Sequence, residues 1–217
     1  MTTHALKPLL IFPCNGNALE ALDSLAGTYR VLALIDDDLT KHGREAWGHR
    51  ILGREAFAQF PNAEVLAVPG NPDSFRTRRR LIESLGIDAR RYARAIAPTA
   101  KISAHATVGR NVLIMAGVVV TGNAVIGDHV CILPNTVVHH DASVGAWTLV
   151  GSNVVVAGNT HVGESCYVGS GSTLMNGLSI AEGSLIGLGS TVIRDVAAGS
   201  TVAGNPARVI STGGDRS

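Results

Sequence analysis

The chain has 217 residues, of which 46% are hydrophobic and 16% are charged, and its formal net charge is +1 at pH 7. This near-neutral balance argues against nucleic acid as a partner, and the length suffices for one large or two small domains. The longest apolar run, residues 112–120, is about half of a bilayer-spanning helix, and the N-terminus lacks the apolar segment of a signal peptide. We therefore expect a cytoplasmic protein without a membrane segment.

The cysteines and the charge distribution indicate the domain organisation. Three cysteines without a CxxC pair argue against a disulfide framework and against a structural zinc site. Residues 1–100 contain 13 Lys/Arg and 11 Asp/Glu, whereas residues 101–217 contain 5 and 6. The chain changes character near Pro98, which predicts domains at 1–98 and 99–210, followed by a mobile tail at 211–217.

The first hundred residues alternate between predicted strands and predicted helices. The runs "PLLIFP", "YRVLALID" and "AEVLAVPG" are typical of buried strands, and "ALEALDSLA" and "SFRTRRRLIESLG" have the spacing of helices. This alternation predicts a parallel sheet with helical crossovers, a small Rossmann-like unit. On the second helix, the run Arg78-Arg79-Arg80 predicts a solvated face. The alternative is that Arg76 or Arg78 approaches a diphosphate.

Two loops of this unit contain candidate binding residues. The loop "PCNGNAL" has only Gly16 where a dinucleotide fingerprint has three glycines, so it does not indicate NAD. Asp36 and Asp37 end the second predicted strand, where ligands bind in parallel sheets. They are candidates to bind ribose hydroxyls or base N–H groups, and the alternative is a solvated turn.

The second half of the chain has a period of six. Sixteen positions that step by six from Ile102 to Val192 are all aliphatic, and the position four further on is never charged. A period of six fits neither an amphipathic helix nor a simple alternating strand. It predicts a solenoid with three flat faces per 18-residue coil, and the sixteen hexads make about five coils.

One corner of this predicted solenoid is chemically distinct. The third and fourth positions of each hexad are corner residues, and His140 and Asp141 occupy one such corner, so their side chains should point outward. Stacking by 18 residues places Gly122 and Gly158 on either side of His140, which leaves open space of the kind that a ligand groove needs. On these residues alone, His140 is either a tolerated surface residue or part of a site.

Several hexads, "VGAWTL", "VGESCY" and "VGSGST", resemble the motif of the hexapeptide-repeat acyltransferases. The resemblance implies a left-handed parallel β-helix, although crossovers are usually right-handed. "NTVVHHD", from Asn135 to Asp141, is similar to the "NTxxVxHD" stretch of the sugar-nucleotide N-acetyltransferases and the related sialic acid O-acetyltransferases. This similarity implies that His140 is a general base and that Asp141 orients it or stabilises its charged form. His139 would have a structural or secondary role. A shift of the motif by one residue, which would make His139 the base, is left open.

The resemblance also implies the ligands and the assembly. Acetyl-CoA would lie as co-substrate in a groove between two β-helices of a homotrimer, and Trp147 would pack at the subunit interface. The residues implied for coenzyme A are Gly158, Gly169, Ser170, Gly187 and Arg208. In the alternative interpretation, the first four are plain turn residues. No metal ligand is predicted.

The acceptor site is where the sequence departs from the family. In sugar-nucleotide acetyltransferases a Gly-x-x-Gly-His-Gly loop follows the first strand, and acidic residues end the second. "LIDDDLTKHG" matches the second feature, but Pro13 and Asn17 depart from the first. The substrate-binding residues implied for a nucleotide sugar are Gly16, Asn17, Asp36 and Asp37.

Three classes of function remain. The favoured one is an acetyl-CoA-dependent N-acetyltransferase that acts on a nucleotide-linked amino sugar, with O-acetylation of a sialic-acid-like sugar as the alternative. A zinc hydratase of the γ-carbonic-anhydrase type is disfavoured because its His-x4-His pair is absent. A scaffold trimer without activity is disfavoured by the His-Asp corner.

Overall fold

The computed structural model describes residues 5–25 and 27–212, which form an N-terminal α/β unit and a three-faced parallel β-helix. The α/β unit has a five-stranded sheet in the order β3-β4-β2-β1-β5, in which only β3 is antiparallel to its neighbour. Its elements are β1 (Lys7–Phe12), α1 (Gly16–Leu25), β2 (Tyr29–Ile35), β3 (Glu45–Ala46), β4 (His49–Leu52), α2 (Ala56–Gln59), β5 (Glu64–Ala67) and α3 (Arg78–Glu83), with 3₁₀ turns at Leu39–Lys41, Phe75–Thr77 and Ala89–Arg91.

The predicted strands and helices of this unit are present, with two additions. The helix predicted from "SFRTRRRLIESLG" is divided into the 3₁₀ turn Phe75–Thr77 and α3. The hairpin of β3 and β4 and the short helix α2 were not predicted. Trp47 and Gly48 make the hairpin turn with positive φ angles, and the Trp-Gly pair was the available signal.

The two faces of the sheet are covered by different parts of the chain. Leu9 and Ile11 pack with α1 and with residues of the β-helix, whereas Leu10 and Phe12 pack with the side of the sheet that includes Phe57 and Ile82. Alternation along β1 therefore buries Leu9, Leu10, Ile11 and Phe12 of this inner strand on both faces of the sheet. The α/β unit consequently lies directly against one face of the β-helix.

Each face of the β-helix is a parallel sheet, and we number the faces in the order in which the chain reaches them. The first face contains Arg94–Ile96, Val112–Ile114, Cys131–Ile132, Leu149–Val150, Tyr167–Val168, Leu185–Ile186 and Thr201–Gly204, with Ala207–Ser211 added antiparallel. The second face contains Lys101–Ile102, Val119–Val120, Val137–Val138, Val155–Val156, Thr173–Leu174 and Thr191–Val192. The third face contains Thr107–Val108, Val125–Ile126, Ser143–Val144, His161–Val162 and Ser179–Ile180.

The period of six is the period of the core. All sixteen predicted aliphatic positions belong to or pack against one continuous cluster inside the β-helix. Val137 pairs with Val119 and with Val155, which shows the 18-residue spacing of the coils. The first face begins at Arg94, ahead of the predicted boundary at 98/99, and Ile96 precedes Ile102 by six, so the repeat itself contained this signal.

Four polar residues inside the β-helix form hydrogen bonds with the neighbouring coil. The Thr136 hydroxyl donates to the Gly151 carbonyl oxygen at 2.7 Å and accepts from the Val154 N–H at 3.0 Å. Equivalent bonds to the next coil come from Thr148, Thr160 and Ser172. Buried polar atoms cost free energy unless they are paired, so these bonds explain how the repeat accepts Thr and Ser in its core.

The C-terminal segment is described only in part. Ser211 ends the last strand, so the first residue of the tail predicted at 211–217 is ordered. Residues 213–217 lie outside the described part of the chain. Among the residues that are described, no helix is long and apolar enough to cross a membrane.

Candidate functional site

The corner between the second and third faces contains a histidine paired with a carboxylate. His140 Nδ1 lies 2.8 Å from Asp141 Oδ2, and the Asn123 Nδ2 donates to the other Asp141 oxygen at 3.1 Å. Both side chains are exposed, as the corner position predicted. Asp141 has a φ of 58°, a conformation that Asn and Asp adopt more readily than most residues. The backbone turn and the side-chain pair thus depend on the same residue.

The neighbouring coils hold this corner from both sides. The Asp141 N–H donates to the Gly122 carbonyl at 3.1 Å, and the Asn159 N–H donates to the His140 carbonyl at 3.1 Å. A Cβ on Gly158 would stand 2.8 Å from both Cε1 and Nε2 of His140. The absence of a side chain at Gly158 therefore gives His140 Nε2 its space, and this atom has no hydrogen-bond partner among the residues described.

The electrostatics of the pair favour a fixed tautomer. The hydrogen bond with His140, followed by the one with Asn123, lowers the pKa of the Asp141 carboxyl. An ionised Asp141 accepts the Nδ1–H of a neutral His140, which leaves Nε2 as a free acceptor. This arrangement can remove a proton from a group that approaches over Gly158.

The α/β unit lies on the opposite side of the β-helix from this corner. The unit packs against the first face, through residues such as Leu113, Cys131 and Leu149. In a three-faced coil, the corner between the second and third faces is opposite the first face. Within one chain the structure therefore does not bring His140 together with Asn17, Asp36 or Asp37.

A cavity of about 150 Å³ lies between the α/β unit and the first face. Asn17 lines it from the first turn of α1, and Gly70 and Asn71 line it from the loop that follows β5. Gly151 and Tyr167 line it from the β-helix. In such sheets a ligand usually binds at the carboxyl ends of the strands where the strand order reverses, and here this point lies between β1 and β5. Of the predicted substrate residues, Asn17 lines the cavity, and Gly16 is exposed at the start of α1.

The two predicted acidic residues have partners within the chain. Asp36 is buried, and its carboxylate accepts from the Cys14 N–H, the Asp38 N–H and the Lys41 ammonium at 2.9 to 3.1 Å. Asp36 is therefore not the solvated turn residue of the alternative interpretation. Asp37 is half-exposed and forms a two-bonded pair with the Arg54 guanidinium at 2.6 Å. Their roles towards a nucleotide stay predictions.

Four of the five residues predicted for coenzyme A lie at two corners of the β-helix. Gly158 belongs to the corner of His140, whereas Gly169, Ser170 and Gly187 lie between the first and second faces. A Cβ on Gly169 would be 2.7 Å from the Leu188 nitrogen, so close packing of the coils already requires glycine there. Arg208 is exposed in the final hairpin, where its guanidinium donates to the Ala207 carbonyl. One chain alone does not gather these residues on one surface.

The sequence did not reveal a buried polar network between the α/β unit and the β-helix. The Arg78 side chain, predicted as solvated, is fully buried and donates to the carbonyl oxygens of Pro69 and His129. The Asn111 amide pairs with both backbone groups of Ala67, at 2.7 and 2.9 Å, and contacts His129 Nδ1 at 2.9 Å. Asn111 and His129 adopt positive φ in the structure, and the sequence shows only an Asn and a His at corner positions.

Trp147 belongs to this network as well. Its ring stacks on His129 with centroids 3.8 Å apart, and the Arg79 guanidinium lies over it at 5.6 Å. Trp147 therefore packs between the two parts of one chain, and its place at a subunit interface stays a prediction. No cluster of three or more His, Cys, Asp or Glu that could hold a metal ion occurs in residues 5–25 and 27–212.

Comparisons with known proteins find a similar repeat family and similar overall folds. Residues 123–158 match the family of bacterial transferase hexapeptide repeats (six repeats). The acetyltransferase domain of PglB from Neisseria gonorrhoeae is 26% identical, with a TM-score of 0.82 over 94% of this chain and 100% of that one. A search of curated proteins finds no significant match.

Two further solved structures are similar over nearly the whole chain. One is a histidine-to-asparagine mutant of perosamine N-acetyltransferase from Caulobacter crescentus in complex with CoA and GDP-perosamine. It is 25% identical, with a TM-score of 0.84 over 97% of this chain and 100% of that one. WeeI from Acinetobacter baumannii, 23% identical with a TM-score of 0.80 over 95% of this chain and 100% of that one, shares the fold.

Proposed function

We propose that this chain, a hexapeptide-repeat sugar acetyltransferase, transfers the acetyl group of acetyl-CoA to the amino group of a nucleotide-linked amino sugar. The observation that supports this most is the His140–Asp141 pair with its free Nε2 over Gly158. Similar solved structures contain acetyl-CoA, or CoA with GDP-perosamine, which supports the same co-substrate and the same class of acceptor. From the resemblance to the hexapeptide-repeat family, we take the β-helix to be left-handed and the α/β unit to be Rossmann-like.

In this proposal His140 is the general base. Nε2 removes a proton from the attacking amine as the tetrahedral intermediate forms, and it can return that proton to the departing thiolate. The Asp141 carboxylate keeps the proton of the imidazole on Nδ1 and stabilises the imidazolium that appears in between. Acetyl-CoA supplies the activated acetyl group, and Arg208 is an exposed cation that could bind its phosphates.

The acceptor is assigned to the cavity between the α/β unit and the first face. Asn17 and Asn71 offer amide groups there, and the carboxyl ends of β1 and β5 open onto the same space. Since the cavity and His140 lie on opposite sides of one β-helix, we propose that a site combines the cavity of one chain with His140 of the next. In a homotrimer with threefold symmetry, each chain would make the same contact with the next chain, so all three sites would be identical.

The second face fits this assembly. Val119, Val137 and Val155 form an outward row on it that is only half-buried within one chain, next to the corner of His140. An exposed apolar row on a flat sheet is typical of a protein–protein contact. Three free cysteines fit a reducing compartment, so we propose that the trimer acts in the cytoplasm.

The test is thiol release from acetyl-CoA with a panel of UDP-, dTDP- and GDP-linked amino sugars and free sialic acids. Reactions without acceptor correct for hydrolysis. Turnover of a nucleotide-linked amino sugar is the expected result. Turnover of a free sialic acid alone would overturn the proposal and establish O-acetylation. If no acceptor causes thiol release, the proposal that the chain acetylates nucleotide-linked amino sugars is wrong.

A further inference from the structure

A basic groove of about 320 Å³ lies at the junction of the α/β unit and the first coil. Lys7 and Arg90 line it from the α/β unit, and Arg94 and Arg110 line it from the start of the β-helix. Its other lining residues are Tyr29, Glu64 and Tyr92. The groove is thus lined by four cations and one carboxylate.

Two of the four cations are neutralised within the chain. The Lys7 ammonium lies 2.9 Å from Glu64, and the Tyr29 hydroxyl donates to the same carboxylate at 2.8 Å. Arg90 donates to both oxygens of Asp88 at 2.7 and 3.0 Å. These bonds, with a weaker contribution from Arg110, hold the pKa of Asp88 far below its usual range.

In the part of the chain that the structure describes, no carboxylate is bonded to the guanidinium groups of the other two cations. Arg94 Nε donates to the Gly109 carbonyl at 2.8 Å, which leaves its two terminal nitrogens available. Arg110 contacts Asp128 through its backbone N–H at 2.6 Å, and its guanidinium has no hydrogen-bond partner among the residues described. Like charges that line one groove repel each other, and a bound anion would relieve that repulsion.

We propose that this groove binds a phosphate or diphosphate group between Arg94 and Arg110. Guanidinium groups bind phosphate oxygens through two parallel N–H bonds, and a groove of this size suits a small anion. Lys7 starts β1, whereas the acceptor cavity lies beyond its end, about 20 Å away for six residues. The groove is therefore separate from the acetyl-transfer site.

Calorimetric titration of the full-length protein with inorganic phosphate and with inorganic diphosphate tests this proposal. Ionic strength is held constant because exposed charges are screened by salt. The native protein should bind at least one anion, and Arg110→Gln should weaken that binding by at least about tenfold, as expected for a lost charge-assisted bond. Arg50→Gln, which removes an exposed arginine on β4, is the matched control and should leave the affinity unchanged.

The two anions distinguish the ligand chemistry. Tighter binding of diphosphate indicates that both guanidinium groups are bridged, and equal binding of both anions indicates a single phosphate position. Absence of heat with either anion overturns the proposal. If Arg110→Gln and Arg50→Gln weaken anion binding equally, the proposal is wrong as well, because the anion would then be attracted by the overall positive charge and not by the groove. If Asn17→Ala abolishes binding and Arg110→Gln does not, the anion binds at the acceptor cavity and the groove is not a site.

Discussion

Gly158 lies directly over the imidazole of His140, at a distance where a Cβ would stand 2.8 Å from both Cε1 and Nε2. We predict that Gly158→Ala lowers kcat by about 10- to 100-fold, because the imidazole must move by a fraction of an ångström and a misplaced base loses rate. The thiol-release assay measures this. Gly122→Ala is the matched control, since a Cβ there meets nothing within 4 Å. Equal effects of the two substitutions would show that the space above Nε2 is not used.

The opposite placement of the cavity and His140 predicts complementation between two inactive variants. His140→Ala retains the cavity, and Asn17→Trp blocks the cavity but retains the base. Random mixed trimers should recover up to about a quarter of the native sites, because one contact in four pairs an intact cavity with an intact base. Differently tagged chains confirm mixing by affinity capture. Mixed oligomers without activity would show that each chain uses its own His140.

Burial, with a smaller contribution from Arg78, lowers the pKa of His129 to about 4. Its value in the unfolded chain is about 6.5. The folded protein therefore binds this proton less well, so the stabilisation is present above pH 6.5 and is lost as the pH falls towards 4. We predict that native Tm falls more between pH 7.5 and pH 4.5 than Tm of His129→Asn. His105→Asn, at an exposed histidine, should keep the native dependence, and identical profiles for all three would contradict the assignment.

The sequence predicted what depends on local spacing. The aliphatic residues at intervals of six fill the core, and the corner at His140 points outward as the hexad register requires. It did not predict which face of the β-helix meets the α/β unit, because that contact joins residues far apart in the chain. Three successive arginines indicate a solvated helix face, and only tertiary packing places Arg78 against the carbonyls of Pro69 and His129.

Arg78 connects the two parts of the chain through those carbonyls. Arg78→Ala leaves both acceptors unpaired and a void in the interface, and each unpaired buried group costs about 1 to 3 kcal/mol. We therefore predict a loss of at least about 2 kcal/mol in the free energy of unfolding, measured by urea denaturation. Arg80→Ala, at an exposed position of the same helix, should change it by less than about 0.5 kcal/mol. Similar midpoints for the two variants would contradict the role of Arg78.

The central claim is that His140 is the base for acetyl transfer. The most direct measurement is kcat for thiol release from acetyl-CoA, at saturating amino-sugar acceptor, with His140→Ala and His139→Ala compared with the native protein. General-base catalysis contributes about 10²- to 10⁴-fold, so His140→Ala should lose at least about 100-fold, whereas His139→Ala should lose far less. A native rate in His140→Ala, or the larger loss in His139→Ala, would contradict the account.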